Sequence, residues 1–172
     1  MTSLDDLNEA LVAAAYAHQV DEVRRLLARG ASPDARWGER RTTALIEVVD
    51  EPDGFVDVPM VQLLLDAGAD PSATDASGNS PLHAAIRSAE ATALLLSAGA
   101  DPNVGNEDGV TPLHMAAYVR STAVARLLVR AGVEIAARDA RQRTALDWLR
   151  RGLEEDAENV FPEELVDLLD GS

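Results

Sequence analysis

Four segments of this chain repeat around a shared glycine: LLARGASPD ending at Asp34, LLDAGADPS ending at Ser72, LLSAGADPN ending at Asn103 and LVRAGVEIA ending at Ala136. Their glycines, Gly30, Gly68, Gly99 and Gly132, lie 38, 31 and 33 residues apart. A second landmark follows each glycine: TALI from Thr43, SPLH from Ser80, TPLH from Thr111 and TALD from Thr144. It comes 13 residues after the first glycine and 12 after the other three. Two landmarks that shift together mark one recurring supersecondary unit, and a unit of about 33 residues is the signature of a stacked array.

The residues give each landmark a local cause. Ser80 and Thr111 are helix N-cap types, and Pro81 and Pro112 then stand at the first helical position, where a missing N–H costs nothing. Val124, Leu127, Leu128 and Ala131 fall at helical spacing, so the stretch from Thr122 predicts a second helix, which Gly132 ends in the left-handed conformation that glycine tolerates. Asp75 to Gly78 and Asn106 to Gly109 predict tight turns before the next cap. One unit is therefore turn, short helix, reversal and second helix. Such a pair cannot bury both its apolar sides alone and must stack on a neighbour. Composition agrees: the chain is 47% hydrophobic but only 3% aromatic, with Ala and Leu supplying most of the apolar content. Ala84, Ala85, Ala116 and Ala117 allow close approach of the short helices. The expected fold class is all-α.

The pattern D-x-x-G-x-[ST]-P-L-H-x-A, combined with L-L-x-x-G-A-D-x-N, resembles the ankyrin repeat. The resemblance implies one α-solenoid domain over 1–172, with units at about 1–35 (an N-terminal cap), 36–74, 75–105, 106–138 and 139–172 (a C-terminal cap). The units at 75–105 and 106–138 match closely, and the other three are degenerate. Gly68 comes 25 residues after Thr43, whereas Gly132 comes 21 after Thr111. The second unit thus holds about four extra, expected in DEPDGFVDVP between its helices. The third has 19, which places a two-residue trim near Ser88. In the family the PLH histidine bonds backbone between adjacent turns, which is the role implied for His83 and His114.

Several chemistries are excluded or disfavoured. The chain has no cysteine, hence no disulfide, thiolate site or thiol nucleophile. All fifteen basic residues are arginine, no G-x-x-x-x-G-K-[ST] exists, and no G-x-S-x-G is present. Two imidazoles sharing a zinc need nitrogens within about 4 Å of one another. Equivalent positions on helices packed about 8–10 Å apart do not meet that. His18 falls at a helix reversal with no companion ligands. DASGN and NEDG lack calcium-loop spacing. No cofactor is expected. MTSLDDLNEA lacks a signal-peptide pattern and no run approaches a membrane span, so a cytoplasmic location is the expectation. The net charge is −15, over half of it carried by eight acidic residues from Glu154 to Asp170. That charge opposes binding to nucleic acid and to anionic membranes.

Function in such a stack is expected in binding, through turn tips and the first helix of each unit, which the family uses as a concave protein-binding surface. The candidates so placed are Trp37, Glu39, Arg40, Arg41, Asn79, Val110, Glu107, Asp108, Arg141 and Arg143 at the tips, with Asp50, Glu51, Arg87, Tyr118 and Arg151 at first-helix ends. Phe55, amid the carboxylates of the insertion, is a further candidate. Trp148 is placed either on this face or under the C-terminal cap. The leading expectation is a monomeric, non-enzymatic module binding a protein. A narrower version is a bacterial immunity or antitoxin-like protein neutralising a basic effector. The rivals are a small-molecule or enzymatic use of the scaffold and a structural assembly subunit.

Overall fold

The computed structural model describes residues 3–50, 56–154 and 163–170. These form α1 (Leu4–Tyr16), α2 (Val20–Ala28), α3 (Ala44–Val49), α4 (Val58–Asp66), α5 (Pro81–Ala84), α6 (Ala89–Ser97), α7 (Pro112–Tyr118), α8 (Thr122–Arg130), α9 (Ala145–Glu154) and α10 (Glu163–Asp170). A 3-10 turn at Ala85–Arg87 prolongs α5. The odd-numbered helices stack in sequence order as an inner layer, and α4, α6, α8 and α10 stack as an outer one. Among the described residues the β-structure is limited to one antiparallel bridge, Trp37 with Thr42. The all-α stack expected from the repeat is the fold observed.

Each helix pair gives the core a fully buried leucine from each of its helices. Leu11 and Leu26, Leu45 and Leu64, Leu82 and Leu95, Leu113 and Leu128, and Leu149 and Leu165 are all fully buried. They lie in one continuous apolar strip with buried alanines between them. Burying each leucine stabilises the fold by on the order of 2 kcal/mol. The closest approach is at the C-terminal end, where a Cβ on Gly152 would stand 2.8 Å from the Tyr118 carbonyl oxygen. α10 completes the fifth pair, burying Leu165 and Leu169 and pairing Glu164 with Arg126 of α8.

The outer turns are laced together by the last residue of the first three glycine segments. Asp34 accepts from the Asp70 N–H at 2.7 Å, Ser72 from the Asp101 N–H at 3.1 Å and Asn103 from the Glu134 N–H at 2.7 Å. A short acceptor is what that position needs, which is why Asp, Ser and Asn interchange there.

The two departures in unit length fall at the helix reversals. In the fourth pair Val119 to Ser121 join α7 to α8, with Arg120 left-handed at φ +58°. His18 takes the same role between α1 and α2 at φ +53°. In the third pair Ser88 alone is left for the reversal, and the preceding turn tightens to 3-10. In the second, eight residues, Asp50 to Asp57, separate α3 from α4. Asp57 caps α4 by accepting from the Met60 N–H at 3.1 Å.

Candidate protein-interaction face

The turn tips are built by one side chain each. Asp75 Oδ1 accepts from the N–H groups of Ser77 and Asn79, both at 2.9 Å. Asn106 Oδ1 accepts from Asp108 and Val110, both at 3.0 Å, and Asp139 Oδ1 from Arg141 and Arg143, both at 2.9 Å. Successive tips are then joined by backbone bonds. Ala76 N–H donates to Arg40 O at 2.7 Å, Glu107 N–H to Ser77 O at 3.0 Å and Ala140 N–H to Asp108 O at 2.8 Å. Gly78 must be glycine here: its φ is +80°, and a Cβ would lie 3.1 Å from the Asn106 Cα of the next tip.

The histidines fix these tips from below. His83 Nε2 lies 2.8 Å from Val110 O, so it carries the proton and donates. Nδ1 accepts from the Ser80 N–H at 3.0 Å and from its hydroxyl at 2.9 Å. His114 repeats this, with Arg143 O at 3.0 Å and the N–H and hydroxyl of Thr111 at 3.2 and 2.8 Å. Each imidazole therefore stands in the N3 place of a capping box and also ties one unit to the next. Burial pushes both imidazoles below their ordinary pKa, which keeps them neutral. With both ring nitrogens engaged, neither ring has a lone pair left for a metal. Asp147 closes the last cap instead, accepting from the N–H and hydroxyl of Thr144 at 2.9 and 3.0 Å, bonds that hold its carboxyl below the usual range.

The inward ends of the first helices present one register to solvent. Backbone bonds from Gln19 N–H to Ala14 O and from Ser121 N–H to Ala116 O make Tyr16 and Tyr118 equivalent. Counting from the caps, Asp50, Arg87 and Arg151 hold the same place in their units, and all five are exposed. Tyr16, 67% exposed, was not among the candidates; the match of Ala14-Ala15-Tyr16 to Ala116-Ala117-Tyr118 is the signal that identifies it. At the tips Trp37 is 43% exposed, and Glu39, Arg40, Arg41, Glu107, Asp108 and Arg141 all face solvent. Arg40 and Asp50 are brought together in an ion pair at 3.0 Å.

Three placements differ from expectation. Val110 is buried, 7% exposed, with its side chain turned into the stack. Asn79 is half-buried and engaged by the tips themselves, donating to Asp75 Oδ2 at 3.2 Å and accepting from Asn106 Nδ2 at 2.9 Å. Arg143 is held by Asp139 at 2.7 Å and covers the Trp148 ring at 4.9 Å. Trp148 itself is a packing residue. Its indole N–H donates to Asp139 Oδ2 at 2.9 Å, and its ring meets His114 and Tyr118 edge-on, both at 5.9 Å. Burial raises the Asp139 pKa, but its bonds from Arg143, Trp148 and Arg141 outweigh that and hold the carboxyl well below the usual range. Glu51 and Phe55 lie outside the described residues.

Both sides carry charges of both signs. The tip and first-helix face carries exposed Arg36, Arg40, Arg41, Arg87, Arg141 and Arg151 against Glu39, Asp50, Glu107 and Asp108. The outer helices and turns carry exposed Asp21, Asp34, Asp66, Asp70, Asp101 and Glu134 beside exposed Arg24, Arg25, Arg29 and Arg130, and the C-terminal segment adds its acidic run. Among the described residues no group of three or more His, Asp or Glu is placed to hold a metal ion, and no helix is long and apolar enough to cross a membrane.

The family model for ankyrin repeats, three copies, matches residues 53–139. This chain belongs to the ankyrin-repeat family. An ankyrin repeat protein of Pyrobaculum aerophilum is 42% identical over 79 residues, 46% of this chain. That match spans 27% of the relative's own length. The ankyrin frame accounts for the histidine ties, the tip turns and the outer acceptors, so the residues left over are those of the exposed register and the tips.

Proposed function

We propose that this ankyrin-repeat chain is a non-enzymatic interaction module that holds a protein partner against its tips and first-helix ends. One observation carries the reading. Of the four large hydrophobic side chains exposed among the described residues, three, Tyr16, Trp37 and Tyr118, lie on this face. Tyr and Trp at exposed positions are the residue types that dominate interface energetics, especially with arginines beside them. The experiment is capture of the partner from native lysate, followed by titration of the purified pair. Trp37→Ala, Tyr118→Ala and Tyr16→Ala each weaken binding by about tenfold or more. Unchanged affinity in all three variants overturns the assignment of the face.

The net charge of −15 supports the narrower reading, an immunity or antitoxin-like protein neutralising a basic effector. The carboxylates sit mainly on the outer side, so that reading requires contact there. The two separate by salt: association through the near-balanced face weakens little between low and high salt, whereas neutralisation of a basic effector weakens steeply.

A further inference from the structure

The second helices of the first four pairs are of two kinds. α2 (VDEVRRLLA) and α8 (TAVARLLVR) carry Arg24, Arg25, Arg126 and Arg130. α4 (VPMVQLLLD) and α6 (AEATALLLS) carry no basic residue. Between these two lies an open groove of about 840 Å³, floored by Val56, Val58, Pro59, Ala93 and Leu94. Gln62 and Ser97 complete the lining, and Gln62 donates to Asp66 of its own helix at 2.7 Å. The charged groups lining it are Asp57 and Glu90, both carboxylates.

We infer that this groove is a second docking site, for an amphipathic helix of a partner protein whose apolar stripe is flanked by Lys or Arg. Three features fix that occupant. The apolar floor lies between two adjacent helices, the setting in which a third helix beds its own ridge. α4 and α6 have 9 residues each, so at about 1.5 Å per residue the groove seats two to three helical turns. Finally, the lining charge is negative only, which matches basic flanks and disfavours acidic ones. The groove is on the outer layer, away from Trp37 and Tyr118, so the two sites can be filled together.

The probe is a synthetic helical peptide of about 12 residues with leucines on one face and arginines at the edges. It is titrated into the full chain and followed residue by residue by NMR. Saturable shifts confined to α4 and α6 are expected. Affinity falls about tenfold with a Leu→Ser peptide of equal charge and with Ala93→Arg, and stays constant in Trp37→Ala and Tyr118→Ala. If Ala93→Arg does not fold, Glu90→Arg, at an exposed position, gives the same loss. Equal binding of the Leu→Ser peptide reduces the effect to charge alone and overturns the proposal, as do shifts centred on the tips. Sedimentation showing a dimer abolished by Ala93→Arg makes a second copy the occupant, and tighter binding in Phe55→Ala makes the chain's own insertion a competitor. Either result overturns it too.

Discussion

At the two junctions after Ser80 and Thr111, a buried imidazole donates across to the next tip, to Val110 O and Arg143 O. At the junction before them Ile46 holds the same register, and Asn79 O has no such ring to receive. An exposed ion pair stands nearby instead, with Arg40 3.0 Å from Asp50 and 3.9 Å from buried Asp75. The tip above it holds four residues between its bridged Trp37 and Thr42, one more than the tips that follow, and buries Thr42 Oγ1 without a hydrogen bond. A surface pair of that kind contributes about 0–1 kcal/mol, less than a buried and fully satisfied network. The difference teaches that the regular junctions hold the stack, while the irregular one carries exposed Trp37, Arg40 and Arg41 and the insertion. Side chains released from the repeat's internal bonds are the ones free to meet a partner.

The largest expected effect tests the regular side. Asp139→Ala strips the acceptor from two backbone N–H groups, the Arg143 guanidinium and the Trp148 indole, and costs about 3 kcal/mol in urea unfolding. Asp50→Ala on the irregular side costs about 0.5 kcal/mol by the same measurement. Equal losses would erase the distinction between the two regions. Gly152→Ala drives a methyl against the Tyr118 carbonyl and lowers stability by about 2 kcal/mol, since backbone cannot yield there as a flexible side chain would.

Acid acts on the same side. His83 and His114 have folded pKa values below the 6.5 of the free group, so their contribution is complete above pH 6.5 and declines as pH falls below it, because the unfolded chain takes up the protons first. Stability measured between pH 7 and 5 therefore slopes downward. The slope shrinks in His83→Gln combined with His114→Gln, and an unchanged slope would assign it to other groups. The last effect is a gain. Ile46→His, following the pattern of the later junctions, supplies the missing donor to Asn79 O and raises stability by about 1 kcal/mol, read as a shift in the urea midpoint at pH 8.

Much of the stack was legible from short-range signals. The caps at Ser80 and Thr111, the αL glycine at Gly132 and the turns at Asp75 and Asn106 all act within four residues, so their spacing shows directly in the string. The trim at Ser88 and the excess before Val58 were legible for the same reason, as counts between landmarks. Burial at the tips was not. Val110 and Asn79 stand beside exposed neighbours in sequence, but one faces the stack and the other bridges two tips. Tyr16 was overlooked because its unit lacks the TPLH landmark that aligns the others.

The sequence by itself determined a one-dimensional array of helix pairs, since cap, turn and periodicity are local and repeat in register. Only the tertiary structure decided what each leftover residue does. Trp148 became a packing residue through Asp139, His114 and Tyr118, the carboxylates gathered mainly on the outer layer, and a groove opened between α4 and α6. Those outcomes depend on contacts between units about 30 residues apart, where neighbours in space are strangers in sequence, and no local pattern encodes which side chain will be covered.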